Sequence, residues 1–239
     1  ILIFLKYFNL FAGGMNSFLE KSGMTGPIPI LHLALPLGIS FYTFQSIGYL
    51  IDVYREKFEP ERNPAKYALF VSFFPQLIQG PISFYDQLAH QLYAERNFSY
   101  KNLKHGTLLM LWGYFKKMVI ADRAVSLIQM VAPDYMQYNG TVIFITVLVY
   151  ALQLYADFSG GIDISRGFAE ILGIEMAENF CRPYFAVSIN DYWRRWHITL
   201  GAWMKNYVFY SLAMSKRFFK MGKNLKQKYG DHAIGAHVA

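Results

Sequence analysis

The chain has 239 residues, of which 54% are hydrophobic and 16% are charged, with a net charge of +7. A soluble domain usually carries about 25% charged residues, so this composition argues against an ordinary soluble protein. Asp, Glu, Lys and Arg are absent from three long stretches, namely 22–51, 67–85 and 135–156. A helix needs about 20 apolar residues to cross a membrane, and each stretch is close to that length. The composition therefore predicts a polytopic membrane protein.

The positive charge is concentrated near the end of the chain, where Asp231 is the only acid among Lys205, Lys216, Arg217, Lys220, Lys223, Lys226 and Lys228. Such a cluster beside an apolar segment is expected on the cytoplasmic side, where anionic lipids attract it. A nucleic-acid surface is the alternative, which the neighbouring apolar segment disfavours. The only cysteine, Cys181, permits no internal disulfide.

The first part of the chain is predicted to contain one complete membrane span. Residues 1–12 have the pattern of the end of a helix, and the stretch 13–29, rich in Gly, Ser and Pro, is predicted to be a loop. The apolar segment 31–51 is predicted to cross the membrane, with a bend at Pro36 and Gly38. The chain begins without Met or a basic stretch and ends abruptly, so we expect it to be cut at both ends.

Proline and glycine interrupt the next apolar segment. A charged connection over 52–66, predicted to be exposed, leads into the segment 67–84, which contains Pro75, Gly80 and the polar side chain of Gln76. Broken backbone at membrane depth is tolerated only where protein buries it or where it lines a cavity. We therefore predict a kinked or re-entrant segment against a central cavity.

The second half of the chain is predicted to contain two long helices. Residues 103–131 have a helical pattern, with Lys116 and the lysine after it at a membrane interface. Residues 141–156 are predicted to span the membrane. The polar, glycine-containing stretch 157–161 then predicts a break, again against the central cavity, before a shorter helix over 164–174.

A capping box predicts a further helix. Ser188 is followed three residues later by Asp191, so a helix should begin just after Ser188. Asp191 also lies four residues before Arg195, which favours an ion pair. Spacings of three and four residues predict that one apolar face of this helix carries Trp193, Trp196, His197 and Leu200. An amphipathic helix of this kind is typical of a membrane interface or of the mouth of a cavity.

His197 is the strongest catalytic candidate. An imidazole with a pKa of about 6.5 can take a proton at neutral pH and return it. A hydroxyl group needs such a base if it is to attack an activated acyl group. The alternative is a structural histidine that is bonded to a backbone carbonyl.

Asp157 and Asp163 are the next candidates, because carboxylates between apolar segments are costly and tend to be functional. Asp157 could orient a histidine, bind a hydroxyl acceptor or pair with an arginine, whereas Asp163 is predicted to cap the helix that follows it. The sequence has no metal-binding spacing, phosphate loop or nucleophile elbow, so no metal site is predicted.

Six sequence blocks carry a family resemblance. They are LPLGISFYTFQ at 35–45, FFPQLIQGP at 73–81, FKKMVIAD at 115–122, DFSGG at 157–161, NFCRPY at 179–184 and YWRRWHITLGAW at 192–203. In this order they resemble the blocks of the membrane-bound O-acyltransferase family. The similarity is to the bacterial branch that includes alginate O-acetylation proteins and the D-alanyl transferases of teichoic acid.

The resemblance implies an all-α, polytopic integral membrane protein of the bacterial plasma membrane, in which tilted helices ring a central funnel with broken or re-entrant segments. Residues 1–239 would form one acyltransferase domain that lacks N-terminal helices and a C-terminal helix bearing Trp-His-Gly. An acyl donor, either an acyl carrier protein or acetyl-CoA, would enter from the cytoplasm, and no cofactor would be bound. The acetyl or D-alanyl group would pass to a polysaccharide hydroxyl or a partner acetyltransferase outside, with lipid but no nucleic acid as a further partner.

The resemblance also implies roles for individual residues. His197 would be an active-site residue, with a second catalytic histidine beyond Ala239 and with Asp157 in a supporting position near the tunnel. Substrate contacts are expected from Trp193, Arg194, Trp196 and Gln76, although Arg194 could equally anchor a lipid headgroup. Two other functions stay open: a secondary transporter, which would also show broken helices and membrane carboxylates, and a non-catalytic scaffold of an envelope polysaccharide assembly.

Overall fold

The computed structural model describes residues 2–22, 26, 28–31, 38–77, 79–215, 218, 220, 221, 223 and 224. These residues form helices and connecting segments, with no strand beyond one isolated antiparallel bridge between Phe180 and Trp196. The all-α prediction is therefore confirmed for this part of the chain. The bend predicted at Pro36 and most of the basic cluster lie outside the described residues.

Helix α1 covers Leu2–Lys21, so the loop predicted from residue 13 is wrong over its first part. Gly13 and Gly14 lie inside this helix, and no atom lies within 4 Å of a Cβ placed on either of them. A glycine costs a helix interior only about 1 kcal/mol relative to alanine, which does not end an otherwise regular helix of 20 residues. The returning segment is bonded to α1, because the Asn16 amide binds the backbone N–H and carbonyl of Ile28 at 2.7 and 2.9 Å.

Helix α2 covers Ile39–Tyr54, whereas the predicted span covered 31–51. The helix begins after Gly38, whose left-handed backbone (φ 75°) favours glycine. Asp52, at the start of the connection predicted to be exposed, is buried in α2 and accepts a 2.7 Å hydrogen bond from the Tyr207 hydroxyl. The exposed position predicted for Asp52 is therefore wrong, because a protein hydroxyl takes the place of water.

The broken backbone predicted over 67–84 is confirmed. It consists of α3 (Pro64–Ser72), the four-residue α4 (Phe74–Leu77) and an irregular segment that leads to α5 (Tyr85–Tyr93). Residues 80–83 of the irregular segment are buried by the surrounding protein. Burial of this kind is what irregular backbone in a membrane protein requires.

A long helical run confirms the helix predicted over 103–131. It comprises α6 (Tyr100–Tyr114), a π-helical segment (Phe115–Ala121) and α7 (Asp122–Val131). A short 3₁₀ turn at Tyr135–Gln137 then leads to the next helix. Single π-helical turns inside α-helices are rare and are frequent at functional sites.

Helix α8 covers Gly140–Ile171 without interruption. Among the residues that the structure describes, it is the one helix long and apolar enough to cross a membrane, which agrees with the span predicted over 141–156. The break predicted at 157–161 and the separate helix predicted over 164–174 are wrong. The helical region ends instead at Gly173, which has a left-handed φ of 74°.

Helix α8 continues through Gly160 and Gly167 because these glycines pack against glycines of α6. Gly113 of α6 faces Gly160 of α8, and a Cβ placed on Gly113 would lie 2.6 Å from the Gly160 carbonyl oxygen. Gly106 and Gly167 form a second such contact, about two helical turns away on each helix. Small residues let membrane helices approach closely, so these glycines serve packing between helices. We call the four residues the glycine seam.

The remaining helices are short. They are α9 (Ile189–Arg195), α10 (Ile198–Trp203), a second π-helical segment (Met204–Phe209) and α11 (Tyr210–Ala213), preceded by a 3₁₀ turn at Pro183–Phe185. Of these, α10 and the π-helical segment after it contact α2. The Trp203 indole donates a 3.0 Å bond to the carbonyl of Phe44 in α2, and Gly48 of α2 leaves room for the Tyr207 ring. These contacts fix α10 and the helical turns that follow it.

Candidate active site

His197 lies at a break between two helices. α9 ends at Arg195, Trp196 is extended, and His197 has a left-handed backbone with φ 47° and ψ 53° before α10 begins. The single continuous helix predicted from Ser188 is therefore wrong. As a consequence, Trp193 and Trp196 do not share one helical face with His197.

The start of α9 follows the prediction. The Ser188 hydroxyl accepts a 3.1 Å bond from the backbone N–H of Asp191, as a capping residue should. The Asp191 carboxylate accepts a 2.9 Å bond from Arg195 Nε, so the predicted ion pair is also confirmed. The Arg195 guanidinium holds the pKa of Asp191 below its usual value.

Pairing with a segment that is remote in sequence causes the break. The N–H of Cys181 donates to the Arg195 carbonyl at 2.9 Å, and the N–H of Ile198 donates to the Asn179 carbonyl at 3.0 Å. A continuous helix would need the Arg195 carbonyl and the Ile198 N–H for its own bonds. Periodicity within one segment cannot show such a partner. Residues held in sparsely populated backbone conformations, as His197 is, cluster at functional sites.

The His197 ring binds Asn179. Its Nδ1 lies 3.1 Å from Asn179 Oδ1, which also accepts bonds of 3.0 Å from the backbone N–H and the hydroxyl of Thr199. A backbone N–H can only donate, so the shared acceptor is the amide oxygen and His197 Nδ1 must carry the proton. The other ring nitrogen, Nε2, then keeps its lone pair and can act as a general base.

Burial keeps this imidazole neutral. The Phe158 ring of α8 meets the His197 ring edge-on, with 4.9 Å between the ring centroids and 89° between the planes. Burial of His197 lowers its pKa below the ordinary value. The base form therefore predominates at neutral pH.

Trp196 belongs to an aromatic cluster beside His197. Its ring packs edge-on against Phe180 at 4.9 Å and stacks on Tyr192 at 5.7 Å. Trp193 is 61% exposed, and Arg194 is exposed with no hydrogen bond or close ion pair in the part of the chain that the structure describes. The substrate contacts expected of these three residues stay predictions. Trp196 lies in the cluster next to the histidine, and Trp193 packs edge-on against Tyr192 of that cluster at 5.3 Å.

Asp157 is bound to a lysine rather than to His197. Its carboxylate lies 2.7 Å from Lys117 Nζ, which also binds Asp122 at 2.9 Å. The residue after it, Phe158, contacts the His197 ring. Asp157 therefore joins α8 to the first π-helical segment, and a supporting role in the site stays a prediction.

Lys116 is buried and forms an ion pair in the interior. Its Nζ lies 2.6 Å from the Asp163 carboxylate and 2.9 Å from the Ser159 hydroxyl. The interface position predicted for Lys116 and the capping role predicted for Asp163 are therefore wrong. Asp163 lies inside α8, where the backbone N–H groups are already bonded within the helix, and a buried ammonium needs a paired carboxylate.

Gln76 is fully buried beneath α3. Its Nε2 donates a 2.9 Å bond to the Phe70 carbonyl, and its Oε1 has no partner among the described residues. The irregular segment after α4 reaches the site through Ile82, whose N–H donates a 3.1 Å bond to the Thr199 hydroxyl. Substrate contact by Gln76 stays a prediction.

Asn179 and Thr199 are the site residues that sequence reasoning missed. Asn179 opens the block at 179–184 and Thr199 lies in the block at 192–203, so a polar residue in each block was the available signal. Neither block shows by itself that the two residues meet. In the described part of the chain, no group of three or more His, Cys, Asp or Glu residues could hold a metal ion.

Comparisons with known proteins identify the family. Residues 60–225 match the MBOAT, membrane-bound O-acyltransferase family. The chain is 37% identical over 212 residues to the probable alginate O-acetylase AlgI of Pseudomonas aeruginosa, a match that covers 89% of this chain and 40% of that protein. It is 36% identical over 238 residues to the peptidoglycan O-acetyltransferase of Helicobacter pylori, covering 89% of this chain and 44% of that protein. It is 29% identical over 178 residues to the teichoic acid D-alanyltransferase of Bacillus subtilis, covering 72% and 44%.

The chain spans less than half the length of these curated relatives, between 40% and 44%. The family match nevertheless extends over most of the chain and includes Asn179, His197 and Thr199. The six sequence blocks predicted this membership from the order in which they occur. The chain belongs to the membrane-bound O-acyltransferase family, and its location is a membrane.

Proposed function

We propose that this chain is part of an enzyme that transfers an acyl group, acetyl or D-alanyl, to a hydroxyl of an extracellular or cell-wall polysaccharide. Membership of the family supports this activity, as do the names of similar proteins, which include an alginate O-acetylase and a peptidoglycan O-acetyltransferase. The structural observation that carries the proposal is the hydrogen bond from His197 Nδ1 to Asn179, because it leaves Nε2 available as a base.

In the proposed reaction, His197 Nε2 takes the proton of the acceptor hydroxyl as the hydroxyl oxygen attacks the carbonyl carbon of a thioester donor. A carbon–oxygen bond forms, and the carbon–sulfur bond breaks when the tetrahedral intermediate collapses. The imidazolium then returns its proton to the leaving thiolate, so the products are an ester and a free thiol. A second histidine, in the Trp-His-Gly helix expected beyond Ala239, would share these proton transfers.

We infer that the whole protein crosses the bacterial plasma membrane several times and that its helices ring a funnel. Large apolar side chains exposed on α6 and α8 support contact with lipid; they include Leu108, Leu111, Phe144, Val147 and Leu148. The donor, an acyl carrier protein or acetyl-CoA, would approach from the cytoplasm. The acceptor polysaccharide, or a partner acetyltransferase that passes the group on, would bind on the outer side.

The test is His197→Gln in the complete protein in its own membrane, with acylated polymer measured per amount of inserted protein. A group that transfers protons contributes about 10²–10⁴-fold to rate, so the variant should lose at least about 100-fold. His105→Gln is the control, because His105 is an exposed histidine of α6 bonded to Glu170 at 2.8 Å. If the His197 variant acylates within about threefold of wild type, where the base should matter at least 100-fold, His197 is not the base and the proposed mechanism is wrong.

A further inference from the structure

We propose that Asn179 is a positioning residue that holds His197 as the Nδ1-protonated, neutral imidazole and directs Nε2 toward the acceptor hydroxyl. This inference rests on the proposed function, since it concerns how the base of that reaction is prepared. Neither Asn179 nor its partner Thr199 has a charge or a reactive group, so their contribution would be made through the histidine.

The orientation of the Asn179 amide is fixed by the backbone. Its Oδ1 accepts the N–H of Thr199 at 3.0 Å, and that N–H cannot accept a bond, so the amide cannot be flipped. The Thr199 hydroxyl donates to the same oxygen at 3.0 Å and itself accepts the N–H of Ile82 at 3.1 Å. Asn179 is 1% exposed. The oxygen that faces His197 is therefore held by two bonds from Thr199, and only one ring tautomer fits it.

An asparagine is an unusual choice for this position. Its Oδ1 takes three donors, but its buried Nδ2 has no partner among the described residues. A buried donor without a partner costs stability. An aspartate would accept the same three bonds with no donor left over, yet its negative charge beside the ring would favour the imidazolium. The amide thus fixes the tautomer without adding charge, which is the property that a neutral base needs.

Among the described residues, no charged side chain takes the place of Asn179 at the His197 ring. The carboxylates on the elements packed against His197 belong to Asp157, Asp163, Glu170, Glu175, Glu178 and Asp191. Asp157 binds Lys117, Asp163 binds Lys116, Glu170 binds His105, Glu178 binds Arg166 and Asp191 binds Arg195, whereas Glu175 is exposed. The other titratable or charged residues on these elements are Tyr150, Tyr155, Arg166, Cys181, Arg182, Tyr184, Tyr192, Arg194 and Arg195. Within the described residues, the Asn179 amide is thus the polar side chain bonded to the imidazole.

The test compares Asn179→Asp and Asn179→Ala in the complete protein in membranes, with kcat and KM measured between about pH 5 and pH 8. Asp keeps both Thr199 bonds and nearly the same shape, so this variant tests the proposal even if Ala folds poorly. A carboxylate beside the ring raises the histidine pKa, and protonated histidine cannot accept a proton. The acidic limb of the pH–rate profile of Asn179→Asp should therefore shift to higher pH by about one unit or more. Activity should recover at pH values above that limb.

Asn179→Ala should lower kcat by about tenfold or more with little change in KM, because orientation of the base matters in the transition state. Asn139→Ala is the matched control. It also removes an asparagine bond to a backbone N–H, that of Val142 at 3.0 Å, but at the far end of α8. It should leave the pH profile unchanged.

Two outcomes separate this inference from the proposed function. If His197→Gln is inactive while Asn179→Asp keeps the wild-type pH profile and Asn179→Ala keeps the wild-type kcat, the positioning role is refuted and the function stands. If His197→Gln retains activity, His197 is not the base of the proposed reaction, and the positioning role fails with it.

Discussion

The pair formed by α6 and α8 and the junction at His197 are held together by different means. α6 and α8 are regular helices in close contact along the glycine seam, with the buried Lys116–Asp163 pair beside it. The junction has little regular structure, and single hydrogen bonds from Asn179 and Thr199 fix its backbone and its ring. The stability of the helix pair should depend on side-chain volume and charge. The geometry of the junction should depend on the individual atoms that form its hydrogen bonds.

The largest effect on stability should come from Lys116→Met, in the π-helical segment that follows α6 and packs against α8. This change removes the cation nearest to the Asp163 carboxylate and leaves only the Arg166 guanidinium, at 3.9 Å. Breaking a buried ion pair costs about 3–5 kcal/mol. The measurement is thermal unfolding of the purified protein in detergent. The double variant Lys116→Met with Asp163→Leu should recover much of the loss, because apolar side chains can replace a buried pair. A single variant as stable as wild type would contradict the buried pair.

Gly113→Val should have the next largest effect. The added side chain begins with a Cβ that would lie 2.6 Å from the Gly160 carbonyl oxygen, so the two helices must move apart. Overpacking of this kind costs about 1–3 kcal/mol, occasionally more. The control is Gly14→Ala in α1, where no atom lies within 4 Å of the new Cβ and where alanine should stabilise the helix by up to about 1 kcal/mol. Equal stabilities for the two variants would mean that the glycine seam is not a close contact.

Removal of a helix cap should affect acyl transfer differently in the two regions. Ser188 caps the seven-residue α9, and Ser99 caps the 15-residue α6 through a 3.3 Å bond from Asn102 N–H. Each Ser→Ala change costs roughly 1 kcal/mol, but α6 has many packing contacts that preserve its position. We therefore expect Ser188→Ala to lower acyl transfer more than Ser99→Ala, measured per amount of folded protein. The opposite order would show that α9 does not hold the junction.

Features that depend on local composition could be predicted from the sequence. The helices over 103–131 and 141–156 follow from hydrophobicity, and the broken backbone over 67–84 follows from its prolines and glycine. The break predicted at 157–161 failed because a glycine that ends a helix and a glycine that packs against another helix look alike in one segment. The partner that decides between them, Gly113 for Gly160, lies in a different helix.

The candidate site could be predicted only in part for the same reason. The Ser188 cap and the Asp191–Arg195 pair are local and were predicted correctly. Imidazole chemistry, the predicted apolar helix face and the family resemblance together indicated His197 as a candidate. Its partner Asn179 is 18 residues away along the chain, and the backbone pairing that places the two together leaves no periodic pattern in the sequence.

The last prediction tests the break at His197 by the sign of a difference in stability, not by its size. In a continuous helix, alanine is more stable than glycine by about 1 kcal/mol. At the left-handed φ of 47° found at His197, the order reverses, because a Cβ costs roughly 1–2 kcal/mol there. His197→Gly should therefore unfold at a higher temperature than His197→Ala. Both variants lack the imidazole, so lost ring contacts cancel in the comparison.

Gly201 provides the control for this comparison within the same short helix. It lies in α10, with no atom within 4 Å of a Cβ placed on it. Gly201→Ala should therefore stabilise the protein by up to about 1 kcal/mol, opposite in sign to the same glycine-to-alanine comparison at position 197. If alanine were the more stable residue at both positions, His197 would lie in a continuous helix. The bonds from Asn179 and Cys181 would then not define the junction, and Nε2 would not be held as the base.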